Sequence, residues 1–406
     1  MAQLTGPRVH DTGVVSRQAV LPDPPDLWSY SSLKDVETCP RRYALSRAAY
    51  PQLWEQPGYP RLPITAAIRG DVVHGALELI VKALVNAGCT STRSAEAVAV
   101  LRELGGYTKV AETSLARQLA RLDGNPRLGT ARREQLARQL TDGLPQVRVQ
   151  IQTYLNRMEL RPSAGRQSGS PPSRPAVRYP ARVGDHPEKV LVADSLRLMG
   201  RIDLLSVDAT GVQITDFKTG AEDPTHHDQL QIYVLLWRED SLSNPKGLAV
   251  LKLVAAYPSR DIAAAVPSAE ELTALCTQLT TKIDAADAAV AAEVPAAIVG
   301  DHCSMCNVRG VCDAYWTTGL KATADVAEGT WYDLAGTVLR NHGVRSIVLL
   351  ESLTNAEVLV RTPTPSYAVP VERNVRVLGA RRVVDPDDPD SLVAALTSVS
   401  EVLELA

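Results

Sequence analysis

Apolar positions along the chain change period several times, and each change predicts an element. Residues 1–26 carry no period; polar, proline-interrupted and ending L-P-D-P-P-D, they read as a flexible N-terminal arm. From Trp28, the run W-S-Y-S-S-L-K-D-V-E-T-C-P-R-R-Y reads as a helix capped by Ser32, with Asp35 three residues on in a box-like arrangement. Pro40 has no amide to donate, so the helix breaks or restarts there and leaves Cys39 at the break. Residues 70–87, G-D-V-V-H-G-A-L-E-L-I-V-K-A-L-V-N-A, keep a helical apolar spacing and predict one amphipathic helix closed by Gly88.

Helical patterning continues over 94–158, in three segments broken near Gly105-Gly106, Gly124-Asn125-Pro126 and Gly143. Residues 161–187, rich in Pro, Ser, Gly and Arg, read as a flexible loop. Strand character takes over at 190–218. A helix over 226–238, a buried strand over 248–256 and an Ala-rich helix over 268–293 follow. Short β-type runs fill a small module at 328–384, barrel-like and possible as an OB-like fold. An acidic linker (Asp385, Asp387, Asp388, Asp390) and a C-terminal helix over about 390–404 end the chain. Helices alternating with strands up to about 320 give the α/β class.

With 45% hydrophobic and 22% charged residues, the chain has material for a buried core. No apolar run approaches the roughly 18 residues of a membrane span. The first 26 residues lack the apolar stretch of a secretory signal, so the expected setting is cytoplasmic, with no membrane partner. A net charge of −3 argues against coating by nucleic acid through bulk charge. A nucleic-acid partner would need a local basic groove, for which Arg41, Arg42 and arginines of 93–161 are candidates.

Of six cysteines, Cys303, Cys306 and Cys312 fall in C-S-M-C-N-V-R-G-V-C. In a reducing compartment that spacing points to a metal or an iron–sulfur cluster rather than disulfides. Cys89 and Cys276 read as small buried hydrophobes.

The stretch G-R-I-D-L-L-S-V-D-A-T-G-V-Q-I-T-D-F-K-T-G, residues 200–220, carries the chemistry. D-A-T-G reads as a turn. Pairing symmetric about Ala209-Thr210 sets Val207 against Val212, Leu205 against Ile214 and Asp203 against Asp216, with Cβ atoms roughly 5 Å apart. Two opposed carboxylates on an apolar face repel, and burial worsens it, so the pair calls for a divalent cation such as Mg²⁺ or Mn²⁺. The strand period puts Lys218 on the face of Asp216, about 6–7 Å along. A carboxylate pair, a metal and a lysine are the parts of metal-assisted phosphodiester hydrolysis. D-x-K alone is commonly a surface pair; the upstream G-R-I-D in register is what gives it weight. His74 shares a helix face with Glu78, which reads equally as a neighbour of the site or a surface acid. Gln229 and Tyr233 share another face, and His226 and His227 read as surface residues.

Taken in order, S-Y-S-S-L-x₅-C-P-R-R-Y, G-D-V-V-H-G-A-L-E, G-R-I-D, D-F-K-T-G, Q-L-Q-I-Y and C-x₂-C-x₅-C resemble the RecB-like branch of the PD-(D/E)XK nuclease superfamily in its iron–sulfur form. That form includes the nuclease domains of AddB proteins and the exonucleases of CRISPR adaptation. The resemblance implies a domain over 27–320 with a restriction-endonuclease-like core, a central mixed sheet flanked by helices, and a helical insertion at about 92–160. It implies His74, Asp203, Asp216 and the Phe217 carbonyl as metal ligands, Lys218 as catalytic lysine, and Gln229 and Tyr233 as site residues. It implies a [4Fe–4S] cluster on Cys39, Cys303, Cys306 and Cys312; zinc on four cysteines, or on three with His302, is the competing reading. The expected enzyme is a deoxyribonuclease, an exonuclease favouring single-stranded DNA ends. The alternative is a catalytically silent, cluster- or zinc-stabilised DNA-binding scaffold of a repair or defence complex. No G-x₄-G-K-[ST] occurs, so processive action would need a separate helicase or ATPase, or a recombination or CRISPR partner.

Overall fold

The computed structural model describes residues 19–161, 178–363 and 369–405. Most of the N-terminal arm, residues 162–177 of the expected loop and Tyr367 lie outside the described residues. Among the described residues no helix is long and apolar enough to cross a membrane.

The first element is a two-residue strand, β1 (Trp28–Ser29), running directly into α1 (Tyr30–Thr38). Ser29, not Ser32, is the cap: it is extended, its hydroxyl accepts from the Ser32 amide, and Ser32 returns the contact. Trp28 sits in the sheet and is fully buried, and the cap falls three residues before Ser32. Cys39 is extended between α1 and α2 (Pro40–Arg47), as Pro40 requires. The long helix α3 (Thr65–Asn86) begins five residues before Gly70 and ends before Gly88, whose φ of +72° suits glycine.

The three glycine breaks produce four helices, α4 (Ala95–Glu103), α5 (Gly106–Ala120), α6 (Thr130–Asp142) and α7 (Leu144–Arg157). They pack onto the sheet and α3 rather than standing apart from them. Leu115, Ile151 and Tyr154 share one core with Leu77 and Ile80 of α3 and with Leu204, Phe217 and Val254 of the sheet.

The first sheet contains β2 (Gly184–Ala193), β3 (Leu198–Val207), β4 (Val212–Phe217), β5 (Val250–Ala256) and β6 (Asp261–Ala264). β2, β3 and β4 are antiparallel neighbours, β4 and β5 are parallel across α8 (Thr225–Glu239), and β6 closes an edge. β2 takes in residues 184–187, so the expected loop ends earlier than 187. Opposite faces of the sheet carry different cores. Leu205, Ile214 and Leu253 pack beneath α1, α8 and α9 (Ala269–Ala291), while Leu204, Phe217 and Val254 pack beneath α3–α7. This is a mixed sheet between helical layers, the expected α/β core.

A short helix, α10 (Asp313–Thr318), leads to a second sheet of β7 (Trp331–Asn341), β8 (Ser346–Glu351), β9 (Glu357–Arg361), β10 (Asn374–Val383), β11 (Leu392–Ala395) and β12 (Glu401–Leu405). It closes on itself: the order runs β7-β8-β9-β11-β10 and back to β7, with β9 and β11 parallel and β12 added to β10. Gly336 permits the close approach of β7 and β8, since a Cβ there would meet the Leu350 carbonyl oxygen at 2.4 Å. The expected C-terminal helix over 390–404 is absent; β11 and β12 take its place, and the module runs to 405. Leu392, Val393, Leu396, Val402 and Leu403 fit a helical spacing, but in extended chain Leu392, Leu396 and Val402 join the barrel core while the backbone satisfies the open edges of β9 and β10.

Candidate active site

The β3–β4 register is the one symmetric about Ala209-Thr210: Val207 pairs with Val212, Leu205 with Ile214 and Leu204 with Thr215. Asp208 sets it locally, accepting the amides of Thr210 and Gly211 with one carboxylate oxygen. The paired ladder ends at Leu204 and Thr215; Asp203 and Asp216 are the next positions on the two strands, and the Asp203 side chain bonds to the backbone one residue beyond Asp216. Asp203 Oδ2 accepts the Phe217 amide at 2.6 Å. His74 Nδ1, from α3, lies 3.7 Å from the same oxygen. Lys218 Nζ lies 2.5 Å from Asp216 Oδ2 and donates to Gln229 Oε1 at 2.6 Å, and Gln229 Nε2 donates to Tyr233 OH at 2.7 Å. These residues line one cleft of about 590 Å³ together with Thr219, Glu222, Asp223 and His226.

Glycines in the motifs bring the layers close enough for this. A Cβ on Gly70 would meet Thr219 Oγ1 at 2.8 Å, and one on Gly75 would meet Ser114 Oγ at 2.6 Å. One on Gly200 would meet Leu236 Cδ1 at 2.7 Å and Tyr233 Cε1 at 3.0 Å. So α3 presses on the loop after Lys218 through Gly70, and α8 presses on β3 through Gly200. From the far side Tyr154 of α7 donates to the Lys218 carbonyl at 2.7 Å and packs edge-on against Phe217.

Burial pushes the Asp203 carboxyl up, Asp216 and Glu188 push it further, and the Phe217 amide and Lys218 only partly offset them. Burial pushes His74 down, leaving a neutral imidazole with a free lone pair at neutral pH. Asp216 is 3% exposed, and its Oδ2 makes an ion pair with Lys218 but accepts no hydrogen bond. The pocket is thus short of positive charge, and Asp216 Oδ2 is buried without a hydrogen bond, its charge met by Lys218 alone. Among the described residues no three His, Cys, Asp or Glu side chains already surround a point. Lys218 and the Phe217 amide instead occupy the carboxylate oxygens. The donor set, two carboxylates and an imidazole, fits a hard divalent cation once Lys218 gives way.

Of the other expected residues, Glu78 pairs with Lys82 on α3. Arg41 donates to the Pro295 carbonyl and Arg42 to Asp35; neither lines the Lys218 cleft. Tyr154, His226 and Tyr257 are site neighbours that the sequence reading does not single out as such; His226 lines the cleft, with its Nδ1 2.7 Å from Tyr257 OH.

Cys39, Cys303, Cys306 and Cys312 meet at a second place, lining a cavity of about 10 Å³ with Arg42 and His302. The amides of Arg42 and Ile298 reach Cys39 Sγ at 3.4 Å, and His302 Nε2 lies 3.9 Å from Cys303 Sγ. Burial holds the thiols of Cys306 and Cys312 up.

Among known proteins, the PD-(D/E)XK nuclease superfamily model matches residues 27–313. No curated protein matches. Among solved structures, the chain is similar to the OB domain of a protein from Methanosarcina mazei at 15% identity, over 21% of this chain and 83% of that one, with a TM-score of 0.17, too slight to place any element. The family match spans both carboxylates, the lysine and the helices that hold them, and the chain belongs to the PD-(D/E)XK nuclease superfamily.

Proposed function

We propose that the chain is a divalent-metal-dependent deoxyribonuclease of the RecB-like branch, an exonuclease acting on single-stranded ends. The observation that carries the nuclease reading is the Asp203–Asp216 pair at the end of the β3–β4 ladder, Asp216 buried, with Lys218 and Gln229 beside it. His74, Asp203, Asp216 and the Phe217 carbonyl would hold Mg²⁺ or Mn²⁺. When bound, the cation supplies Lewis-acid stabilisation of the phosphate and acidifies a water. Lys218 orients the attacking water and offsets charge on the phosphate. Gln229 fixes the ammonium, and Tyr233 fixes Gln229. The neutral His74 adds a ligand without adding charge repulsion among donors. Water attacks in line, the P–O3′ bond breaks, and a 5′-phosphate and a 3′-hydroxyl result.

The single-strand preference rests on the second sheet. Its closed order, β7-β8-β9-β11-β10 with a parallel β9–β11 pair, supports an OB-like barrel, a fold suited to single strands, and Trp331 on it is half exposed. The four cysteines are proposed to hold a [4Fe–4S] cluster. Zinc on the same cysteines, or on three of them with His302, whose Nε2 lies 3.9 Å from Cys303 Sγ, is the second reading. A brown preparation absorbing near 400 nm, with iron by elemental analysis, decides for the cluster.

The function is tested with end-labelled single- and double-stranded DNA in Mg²⁺ or Mn²⁺. Shortening of the single strand from an end is expected. A metal-replete protein that binds DNA and cuts neither substrate would be the silent scaffold.

A further inference from the structure

Resting on the nuclease reading, we propose that His226 is a further substrate-contacting residue of this site, its Nε2–H donating to a non-bridging oxygen of the phosphate next to the one cleaved, and that Tyr257 is the positioning residue that aims it. On α8 His226, Gln229 and Tyr233 stand at i, i+3 and i+7, one face of the helix, and all three line the same cleft. Gln229 and Tyr233 are engaged with Lys218 and each other at the floor. His226 is one turn nearer the start of the helix. Its Nδ1 is held by Tyr257 OH at 2.7 Å, the rings lie 5.8 Å apart, and Tyr257 is only 4% exposed at the end of β5. Among the described residues Nε2 has no such partner.

Burial and Lys218 hold the ring below the usual histidine value, so at neutral pH it carries one N–H. We take the Tyr257 hydroxyl as donor to Nδ1, which places the N–H on Nε2, on a ring that lines the cleft. The acids on the same wall are already committed. Glu222 is bound by two nitrogens of Arg260 at 2.9 and 2.7 Å, and Asp223 accepts the Thr225 amide at 2.8 Å. A phosphate arriving there meets a neutral donor and the Lys218 ammonium, with the Glu222 charge offset by Arg260 and the Asp223 carboxylate turned to the first amide of α8.

The test measures cleavage in Mn²⁺, and binding of a fluorescein-labelled single-stranded oligonucleotide in Ca²⁺, for H226A, H226Q, Y257F and H226A/Y257F, each checked for an unchanged melting temperature. H226A is expected to raise KM and Kd about tenfold, the worth of one hydrogen bond to a charged group. H226Q, whose amide nitrogen reaches where Nε2 stood, recovers most of the loss. Y257F loses part of it and adds nothing in the H226A background. A methylphosphonate at the contacted phosphate removes the difference between wild type and H226A. If wild type cuts and H226A matches it in KM and Kd, or if the Y257F and H226A losses add in full, the inference is overturned while the nuclease reading stands. If wild type binds the strand without cutting and H226A loses that binding, the contact stands and the nuclease reading falls.

Discussion

The most consequential single residue is Asp203, because its position sets stability against activity. Its folded-state carboxyl is held well above the ordinary carboxylate range, first by burial and then by Asp216. The folded state therefore holds this proton more tightly than the unfolded chain. Without a cation, stability rises as pH falls through the folded value towards the unfolded one, and is lost as pH rises back through it. Asp203→Asn removes the repulsion and keeps an oxygen for the Phe217 amide. It should raise the metal-free melting temperature by roughly 2–4 °C near neutral pH, flatten that pH dependence, and abolish cleavage. Melting curves across pH with and without Mg²⁺ check it; a variant no more stable than wild type would remove the charge conflict from the account. Lys218→Ala should slow single-turnover cleavage at least about a hundredfold while leaving the hairpin intact. Both residues were legible in the sequence because D-A-T-G fixes a turn, a turn fixes a register, and a period of two fixes the face. His226 was not, since its meaning depends on Tyr257, which follows a separate strand and leaves no mark in the helix pattern.

At the scale of elements, glycine contacts decide how near the layers come. Gly200 lets α8 lie on β3 where any side chain would press on Leu236 and Tyr233. Gly200→Ala should cost about 1–3 kcal/mol in denaturant unfolding and lower kcat more than it weakens DNA binding, because the displaced helix carries Gln229 and Tyr233 away from Lys218. Equal effects on kcat and Kd would mean that α8 serves only as packing. Tyr154→Phe removes the hydrogen bond to the Lys218 carbonyl and should cost about 1 kcal/mol, tying α7 to the catalytic strand. The helices of 95–157 are thus a wall of the core rather than an ornament on it. Patterning found their boundaries from glycines but could not show that they share a core with the sheet, since a helix buries one face in either case. It also read 390–404 as helix, because Leu392, Leu396 and Leu403 satisfy either period, and the choice was made by barrel edges supplied by residues far away in sequence.

Over the whole molecule, the nuclease core, the cysteine loop and the barrel are joined at Arg127. Its guanidinium pairs with both oxygens of Glu401 on β12 at 2.8 and 3.0 Å. It also donates to the carbonyls of Pro60 and Asn307 and lies over the Tyr59 ring at 4.8 Å. The side chains of Arg127 and Glu401 are 5% and 15% exposed, so neither charge can be left alone cheaply. Close by, Asp333 on β7 takes Arg309 at 2.6 Å, Tyr315 at 2.9 Å and the Gly379 amide at 2.7 Å, pinning the cysteine stretch and the helix after it to the barrel. Glu401→Ala leaves a buried guanidinium with carbonyls only and should destabilise by about 3–5 kcal/mol, whereas replacing both partners with apolar residues should restore much of that loss. If the junction carries the barrel's orientation, the paired replacement regains melting temperature but not single-strand affinity, because apolar side chains refill the space without the directional bonds to Asn307 and Pro60. Recovery of both together would mean that the pair only fills volume and that the barrel's position is set elsewhere.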